Sequence, residues 1–232
     1  MQATEQRYRK DAVSARDDIL AALAILDKNP ETSSYVSRTS TDGRWWLLTS
    51  CALSIAAYGI YFLFGTPPGD PVVKTRMLST PYGWFHVTGG LTAMATGPFQ
   101  FLKDFRRRKP QAHRIIGRVY AVAVVSSAIS GFWVSFGCLA HPIGRYGFAI
   151  LALLWLISIS LAMRSIWQRD IDRHRDWMTR NYALTYAAVM LRWQLPLYIF
   201  LGLSAVTALT VTSFSSWMPN LVFAEWFLRR HL

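Results

Sequence analysis

The stretch VYAVAVVSSAISGFWVSFGCL, residues 119–139, carries no charged side chain and is long enough to cross the hydrocarbon core of a bilayer as one helix. It follows directly on KDFRRRKPQAHRIIGR, residues 103–118, in which basic side chains are dense. An apolar run of this length with a basic flank is typical of a membrane-spanning helix whose flank lies in the cytoplasm. The two stretches together predict an integral membrane protein.

Five further apolar blocks have a similar length, so we predict an all-α integral membrane protein with a six-helix transmembrane bundle. Residues 45–232 form this membrane domain. The six predicted spans are Trp45–Phe64, Trp84–Leu102, Val119–Leu139, Tyr146–Met163, Tyr182–Leu203 and Val206–Leu228.

The position of the charges explains the unusual charge balance of the chain. Only 16% of the 232 residues are charged, yet the net charge is +12, which on its own would suggest a nucleic-acid partner. The basic residues concentrate at 103–118 and 164–180, whereas the alternate loops hold only Lys74, Arg76 and Arg145. This alternation predicts a membrane protein with both termini in the cytoplasm, facing anionic inner-leaflet lipids, and requires no nucleic acid.

Residues 1–44 predict a separate cytoplasmic arm. Asp11–Leu26 places its apolar residues on one stripe of a helix, and Pro30 follows shortly after. We expect an amphipathic helix that lies on the inner membrane surface or packs on the bundle, followed by a linker at 31–43 that is rich in Ser and Thr. The alternative is a solvated tail that anchors nothing.

Three histidines lie where a membrane cytochrome would hold its iron. His113 and His174 precede spans three and five at the cytoplasmic surface, and His86 opens span two from the other side. A b-type haem iron takes two histidines from different helices, and Arg114 and Arg175, next to the inner pair, would neutralise haem propionates. The alternative is that these are interfacial histidines that bond the backbone or lipid headgroups. We expect no metal other than such a haem iron.

A second set of polar residues lies inside the predicted spans. Arg192 falls near the middle of span five, where a charge is costly unless it faces protein, water or a counter-charge. Other polar side chains of spans two, five and six accompany it: Gln100, Gln194, Asn220 and Glu225. They predict a polar pocket for an anionic or quinone-like ligand or, alternatively, a buried Arg192–Glu225 ion pair that joins two helices.

Several short motifs in this order carry a family resemblance. They are Gly97-Pro98-Phe99-Gln100-Phe101, His113-Arg114-x-x-Gly117-Arg118-x-Tyr120, His174-Arg175-x-Trp177-Met178-x-Arg180-x-Tyr182, Leu191-Arg192 and Trp217-x-Pro219-Asn220-Leu221-x-x-Ala224-Glu225-Trp226. From about Trp45 to Arg230 the chain resembles the bacterial multi-pass membrane proteins of domain-of-unknown-function family 2306. The resemblance implies a helical protein of a bacterial cytoplasmic (inner) membrane and assigns no activity.

The sequence leaves two functions open. The first is an accessory or small-molecule-binding subunit of a larger membrane complex. The second is a redox membrane protein that binds b-type haem and exchanges electrons with a quinone. Neither the motifs nor the resemblance assigns a reaction or a catalytic residue.

Overall fold

The structure of the chain is a computed structural model that describes residues 43–66 and 71–230. These residues belong to the second of the two units into which the chain divides, Thr41–Leu232. The amphipathic helix expected at Asp11–Leu26 and most of the linker after it lie outside the described residues. In the described part every regular element is an α-helix, and no strand occurs there.

Ten helices follow one another along the described chain. They are α1 (Gly43–Phe64), α2 (Pro71–Leu78), α3 (Pro81–Gln100), α4 (Lys103–Arg108), α5 (Pro110–Phe136), α6 (Pro142–Trp167), α7 (Ile171–Thr185), α8 (Ala187–Phe200), α9 (Ala205–Ser215) and α10 (Met218–Arg229). The all-α class predicted from the sequence is therefore confirmed for the described residues.

Three of the described helices are long and apolar enough to cross a membrane: α1 over Trp45–Phe64, α5 and α6. They correspond to predicted spans one, three and four. Both α5 and α6 begin before the predicted spans, with Pro110 and Pro142 in their first turns. A proline is favourable there because the backbone N–H groups of the first turn have no partner within the helix. Span two matches α3, span five is shared by α7 and α8, and span six by α9 and α10, so the count of six spans stays a prediction.

Helices α3 and α5 run antiparallel and approach closely because small residues line their contact. A Cβ atom on Gly89 would lie 2.7 Å from the Ala123 carbonyl oxygen and 2.9 Å from the Ser127 Cβ. The Ser127 hydroxyl donates to the His86 carbonyl at 2.7 Å, and the His86 Nδ1–H donates to the Ser127 carbonyl at 3.0 Å. Close backbone approach and this reciprocal pair fix the register of the two helices.

A buried polar network joins α5, α6 and α7. The Tyr120 hydroxyl donates to the Asn181 Oδ1 at 2.7 Å and lies 2.9 Å from the Thr185 Oγ1. The Asn181 amide nitrogen donates to the Trp155 carbonyl at 3.0 Å and to the Ser158 hydroxyl at 2.8 Å, and the Trp155 indole donates to Thr185 at 2.9 Å. Since Tyr120 and Asn181 are fully buried, each of these bonds is made away from solvent.

Helix α8 continues the direction of α7 after one residue, Tyr186. The Tyr186 N–H still donates to the Tyr182 carbonyl at 2.9 Å, while the Tyr186 carbonyl accepts from both Val189 and Met190 at 3.0 and 3.2 Å. The bond from Val189 is of the 3₁₀ type, so the helix is locally more tightly wound at this point, but its hydrogen bonding is not interrupted. Helix α1 packs alongside, with Ala52 in contact with Met94 of α3 and Val189 of α8 in one buried cluster.

We predict opposite effects of alanine at the two neighbouring glycines of α3. Alanine favours a helix interior over glycine by about 0.5–1 kcal/mol. At Gly90 the new Cβ would meet only the Ser127 Oγ, at an ordinary 3.6 Å, whereas at Gly89 it would overlap the α5 backbone. Gly90→Ala should therefore raise the melting temperature of the protein in detergent, and Gly89→Ala should lower it. Equal increases for both variants would contradict the described contact between α3 and α5.

Candidate functional site

One end of the described helices is strongly basic. The end of α3, all of α4, the start of α5, the end of α6 and the part of α7 up to Tyr182 form this end, and three contacts link α3 with α5, α6 with α7, and α3 with α7. A Cβ on Gly117 would lie 3.1 Å from the Gln100 Oε1, the His174 Nδ1 lies 2.9 Å from the Ala162 carbonyl, and the Phe101 and Tyr182 ring centroids are 5.1 Å apart. We call this end the basic end.

Three buried polar side-chain atoms at the basic end have no hydrogen-bond partner in the described part of the chain: the Gln100 Nε2, the His113 Nδ1 and the Tyr182 hydroxyl. We call these three residues the basic-end cluster. Gln100 is 8% exposed, so its amide is withdrawn from solvent. A buried donor without a partner costs about 1–3 kcal/mol, and native proteins hold few of them. Three such atoms at this end make it the candidate ligand site of the described helices.

Glycines bring the cluster together. A Cβ on Gly97 would lie 2.5 Å from the Tyr182 ring and 3.1 Å from the Tyr120 ring, so α3 has room for α5 and α7 only because that position carries no side chain. On α5, His113, Gly117 and Tyr120 are spaced by one turn each and share a face. The Gln100 amide lies over the middle of that face. The cluster is therefore placed by the packing of three helices.

Arginines surround the basic-end cluster. Burial lowers the pKa of the half-buried Arg106 guanidinium, and the neighbouring positive charge of Arg175 lowers that pKa further. Arg175 is itself exposed and paired with Asp172 at 3.1 Å, while Arg114 is exposed at the start of α5. An anionic or electron-rich group at this end would relieve the repulsion between the two neighbouring cations.

The structure places the three expected haem histidines at two ends. His113 and His174 lie at the basic end, within electrostatic reach of each other. The His174 Nδ1–H donates to the Ala162 carbonyl, which leaves its Nε2 as the free ring nitrogen. His86 lies at the opposite end, where its ring packs over Gly131: a Cβ there would be 2.6 Å from the His86 Nδ1. His86 is thus separate from His113 and His174.

The Arg192–Glu225 ion pair, expected as one alternative, is wrong. Glu225 on α10 accepts two hydrogen bonds from Arg180 on α7, at 2.5 Å from Nε and 3.1 Å from Nη2. Arg180 precedes the apolar part of its helix and lies opposite Glu225 because α7 and α10 run antiparallel. Arg192 is instead exposed on α8, where it donates to the Ala188 carbonyl at 3.4 Å and stands 5.8 Å from the Tyr58 ring centroid.

The other polar residues of the predicted spans bond separately. Gln194 exchanges hydrogen bonds with Ser215, donating to its carbonyl at 3.2 Å and accepting from its hydroxyl at 2.8 Å, and so ties α8 to α9. Asn220 donates to the Ala183 carbonyl at 3.3 Å and ties α10 to α7. No described bond joins any two of Arg192, Gln194, Asn220, Glu225 and Gln100. Of the five, only Gln100 belongs to the basic-end cluster, and the structure does not gather the set into one pocket.

Sequence reasoning missed Asn181, Arg180 and Tyr182 as structural or site residues. Tyr182 stood in a quoted motif, yet the sequence does not tell which of several tyrosines is left without a partner. Arg180 stands in the same motif and among the basic residues at 164–180, and neither position indicates a pairing with Glu225. The available signal was Glu225, the one carboxylate within a predicted span, since a buried acid requires a basic partner at the same depth.

Comparison with protein families gives one result. The model of a family described as "Predicted membrane protein (DUF2306)" matches residues 83–228. The matched region begins in α3 and ends in α10, so it contains the basic-end cluster but not α1. No curated protein and no solved structure gives a significant match.

We predict that Glu225→Gln destabilises the protein. The Arg180 side chain is 22% exposed, so the variant leaves a largely buried guanidinium without its counter-charge, a change that costs about 3–5 kcal/mol when the pair is fully buried and less here. The melting temperature in detergent should fall by several degrees. The matched control is Asp172→Asn, because Asp172 is 93% exposed in its pair with Arg175 and should change the melting temperature little. Equal shifts in the two variants would contradict the assignment.

Proposed function

The chain belongs to the DUF2306 family of predicted membrane proteins, and on that premise we propose that it binds a small quinone-like molecule at the basic-end cluster. The observation that carries this proposal is that three buried polar atoms on the packed helices α3, α5 and α7, those of Gln100, His113 and Tyr182, lack a hydrogen-bond partner among the residues described.

The proposal includes the membrane arrangement. Six spans are formed by α1, α3, α5, α6, α7 with α8, and α9 with α10, in a bacterial cytoplasmic membrane with both termini in the cytoplasm. The antiparallel contacts of α3 with α5 and of α7 with α10 support it, because consecutive spans must alternate in direction. So does the concentration of cations at one end, where anionic inner-leaflet lipids would lie.

The chemistry of the basic-end cluster favours a ring that carries carbonyl oxygens. The Gln100 Nε2 can only donate, the Tyr182 hydroxyl can donate, and the His113 Nδ1 can donate or accept according to its tautomer. Carbonyl oxygens at opposite sides of a flat ring would accept from the first two, and the Phe101 and Tyr182 rings offer faces for stacking. A lipid-soluble quinone can also enter such a site from the membrane, between helices.

We predict that two tyrosine variants separate binding from stability. Tyr120→Phe removes a hydroxyl that bonds Asn181 and Thr185, so it should lower the melting temperature in detergent. Tyr182→Phe removes a hydroxyl without a partner in the described structure, so it should leave the melting temperature unchanged or raise it. With decylubiquinone as the probe, measured by quenching of tryptophan fluorescence, Tyr182→Phe and Gln100→Leu should each weaken binding about tenfold or more.

The expected signs are specific to a ligand site. If Tyr182→Phe lowers the melting temperature as much as Tyr120→Phe, then the Tyr182 hydroxyl has a structural role. If the unaltered protein shows no saturable binding of decylubiquinone, then the quinone-like class is wrong.

A second candidate, b-type haem binding, is favoured by one observation. The bond from the His174 Nδ1–H to the Ala162 carbonyl is the arrangement that histidine ligands of metals usually have, because it fixes the tautomer and frees Nε2. His113 is near it on another helix, and its Nδ1 is buried without a described partner. His113 and His174 would thus be the two histidine ligands of the haem iron. Arg114 and Arg175, each next to one of them in the sequence, would neutralise the haem propionates. A bound haem would supply one-electron transfer to a quinone.

Absorbance tests this candidate. Protein purified from haem-replete cells should show Soret and α bands in a reduced-minus-oxidised spectrum, and His113→Ala and His174→Ala should each remove them. His141→Ala is the matched control, because His141 is exposed at the start of α6 at the other end. Absence of the bands in the unaltered protein would end the haem hypothesis and leave the quinone-like proposal standing.

A further inference from the structure

Arg192 is an accessible cation where α8 lies beside α1. Its side chain is exposed on α8, and its described contacts are the Ala188 carbonyl at 3.4 Å and the Tyr58 ring at 5.8 Å. Neither contact supplies a negative charge, and no carboxylate within residues 43–66 and 71–230 pairs with it. Its neutralisation is therefore incomplete in the chain as described.

The depth of Arg192 decides what can neutralise it. The inference rests on the six-span arrangement proposed above, in which α8 forms the second half of span five. Arg192 stands eight residues before Phe200, about 12 Å from the end of the helix. Lipid phosphates lie outside the hydrocarbon core, so a charge at this depth is expected to face a protein group.

The surface of α8 around Arg192 is apolar and exposed. Trp193, Leu197 and Phe200 are 69%, 52% and 87% exposed, and Pro196 is exposed between them. Positions 192, 196 and 200 are four residues apart and form one stripe, with 193 and 197 beside it. The α8 face, defined as these five residues, is thus an apolar stripe with one cation at one end.

We propose that the α8 face docks a membrane-spanning helix of a different protein, and that this helix carries one carboxylate at the depth of Arg192. Charge complementarity identifies the occupant, because a buried guanidinium is best matched by a carboxylate. A second copy of this chain does not fit. The only acidic residue in its six predicted spans is Glu225, and both carboxylate oxygens of Glu225 bond Arg180. The proposal makes the chain one subunit of a hetero-oligomeric membrane complex.

Synthetic membrane helices test the proposal. The probes are leucine-rich spanning peptides with Lys flanks that differ only at the central residue, which is Asp, Asn or Leu. The full chain, labelled with a donor dye at its C-terminus, is reconstituted in liposomes with acceptor-labelled peptide, and association is measured by energy transfer. We expect the Asp peptide to bind at least tenfold more tightly than the Leu peptide, with the Asn peptide in between.

Variants show whether Arg192 is responsible. Arg192→Gln should reduce the affinity for the Asp peptide to that for the Leu peptide, and Arg192→Lys should keep most of the preference. The control Arg108→Gln removes an exposed cation of α4 and should change nothing. Arg192→Gln should also leave the affinity for decylubiquinone unchanged. A lack of quinone binding at the basic-end cluster can therefore be told apart from a lack of peptide binding at the α8 face.

Three results would overturn the inference. Equal affinities of the unaltered protein for the Asp and Leu peptides would show that Arg192 needs no carboxylate. A preference that arises only in Asp70→Asn would identify Asp70, which lies outside the described residues, as the counter-charge within the same chain. A reporter fused after Leu203 that lies on the same side of the membrane as one fused after Arg230 would overturn the six-span arrangement together with this inference.

Discussion

The arrangement of the basic end depends on the hydrogen bonds of one side chain, that of Asn181. Its amide bonds a tyrosine of α5 and two groups of α6, and its own helix is α7, so a single buried residue sets the relative height of three helices. The core consists mostly of alanine, leucine and small hydroxyl residues, and apolar contacts alone would allow the helices to slide along one another. A buried polar group, in contrast, meets its hydrogen-bond partners in only one register of the helices. In that register the Tyr120 and Tyr182 rings meet beside Gly97.

Hydroxyl groups within the helices also need hydrogen-bond partners, and they find them within their own helix. Along α3, Thr88, Thr92 and Thr96 each donate to the carbonyl of the residue four positions earlier. A hydroxyl that bonds its own helix presents only its methyl group to the surroundings. Polar residues that look unfavourable in a membrane segment are thus accommodated without a partner helix. What distinguishes Gln100 and Tyr182 is that neither has such a local acceptor in the described structure.

Much of this arrangement could be predicted from the sequence, because length, hydropathy and charge are local properties. The three helices with clear spanning character, and the separation of His86 from His113 and His174, follow from counting along the chain. The pairing of Arg180 with Glu225 could not be predicted in this way. It depends on the register between α7 and α10, and two charges at similar counted depth can lie on different sides of a bundle. The basic-end cluster was also inaccessible, since a missing partner is a property of three-dimensional packing.

The single-residue joint at Tyr186 has a mechanical consequence. Before it, α7 is held by Asn181 and Arg180 to three other helices, and after it, α8 contacts α1 and α9. The Tyr186 N–H bonds the carbonyl of Tyr182, so a tilt of α8 pulls first on that carbonyl. A movement of α8 about this joint would therefore reach the backbone of Tyr182 before it reached the part of α7 that Asn181 and Arg180 hold.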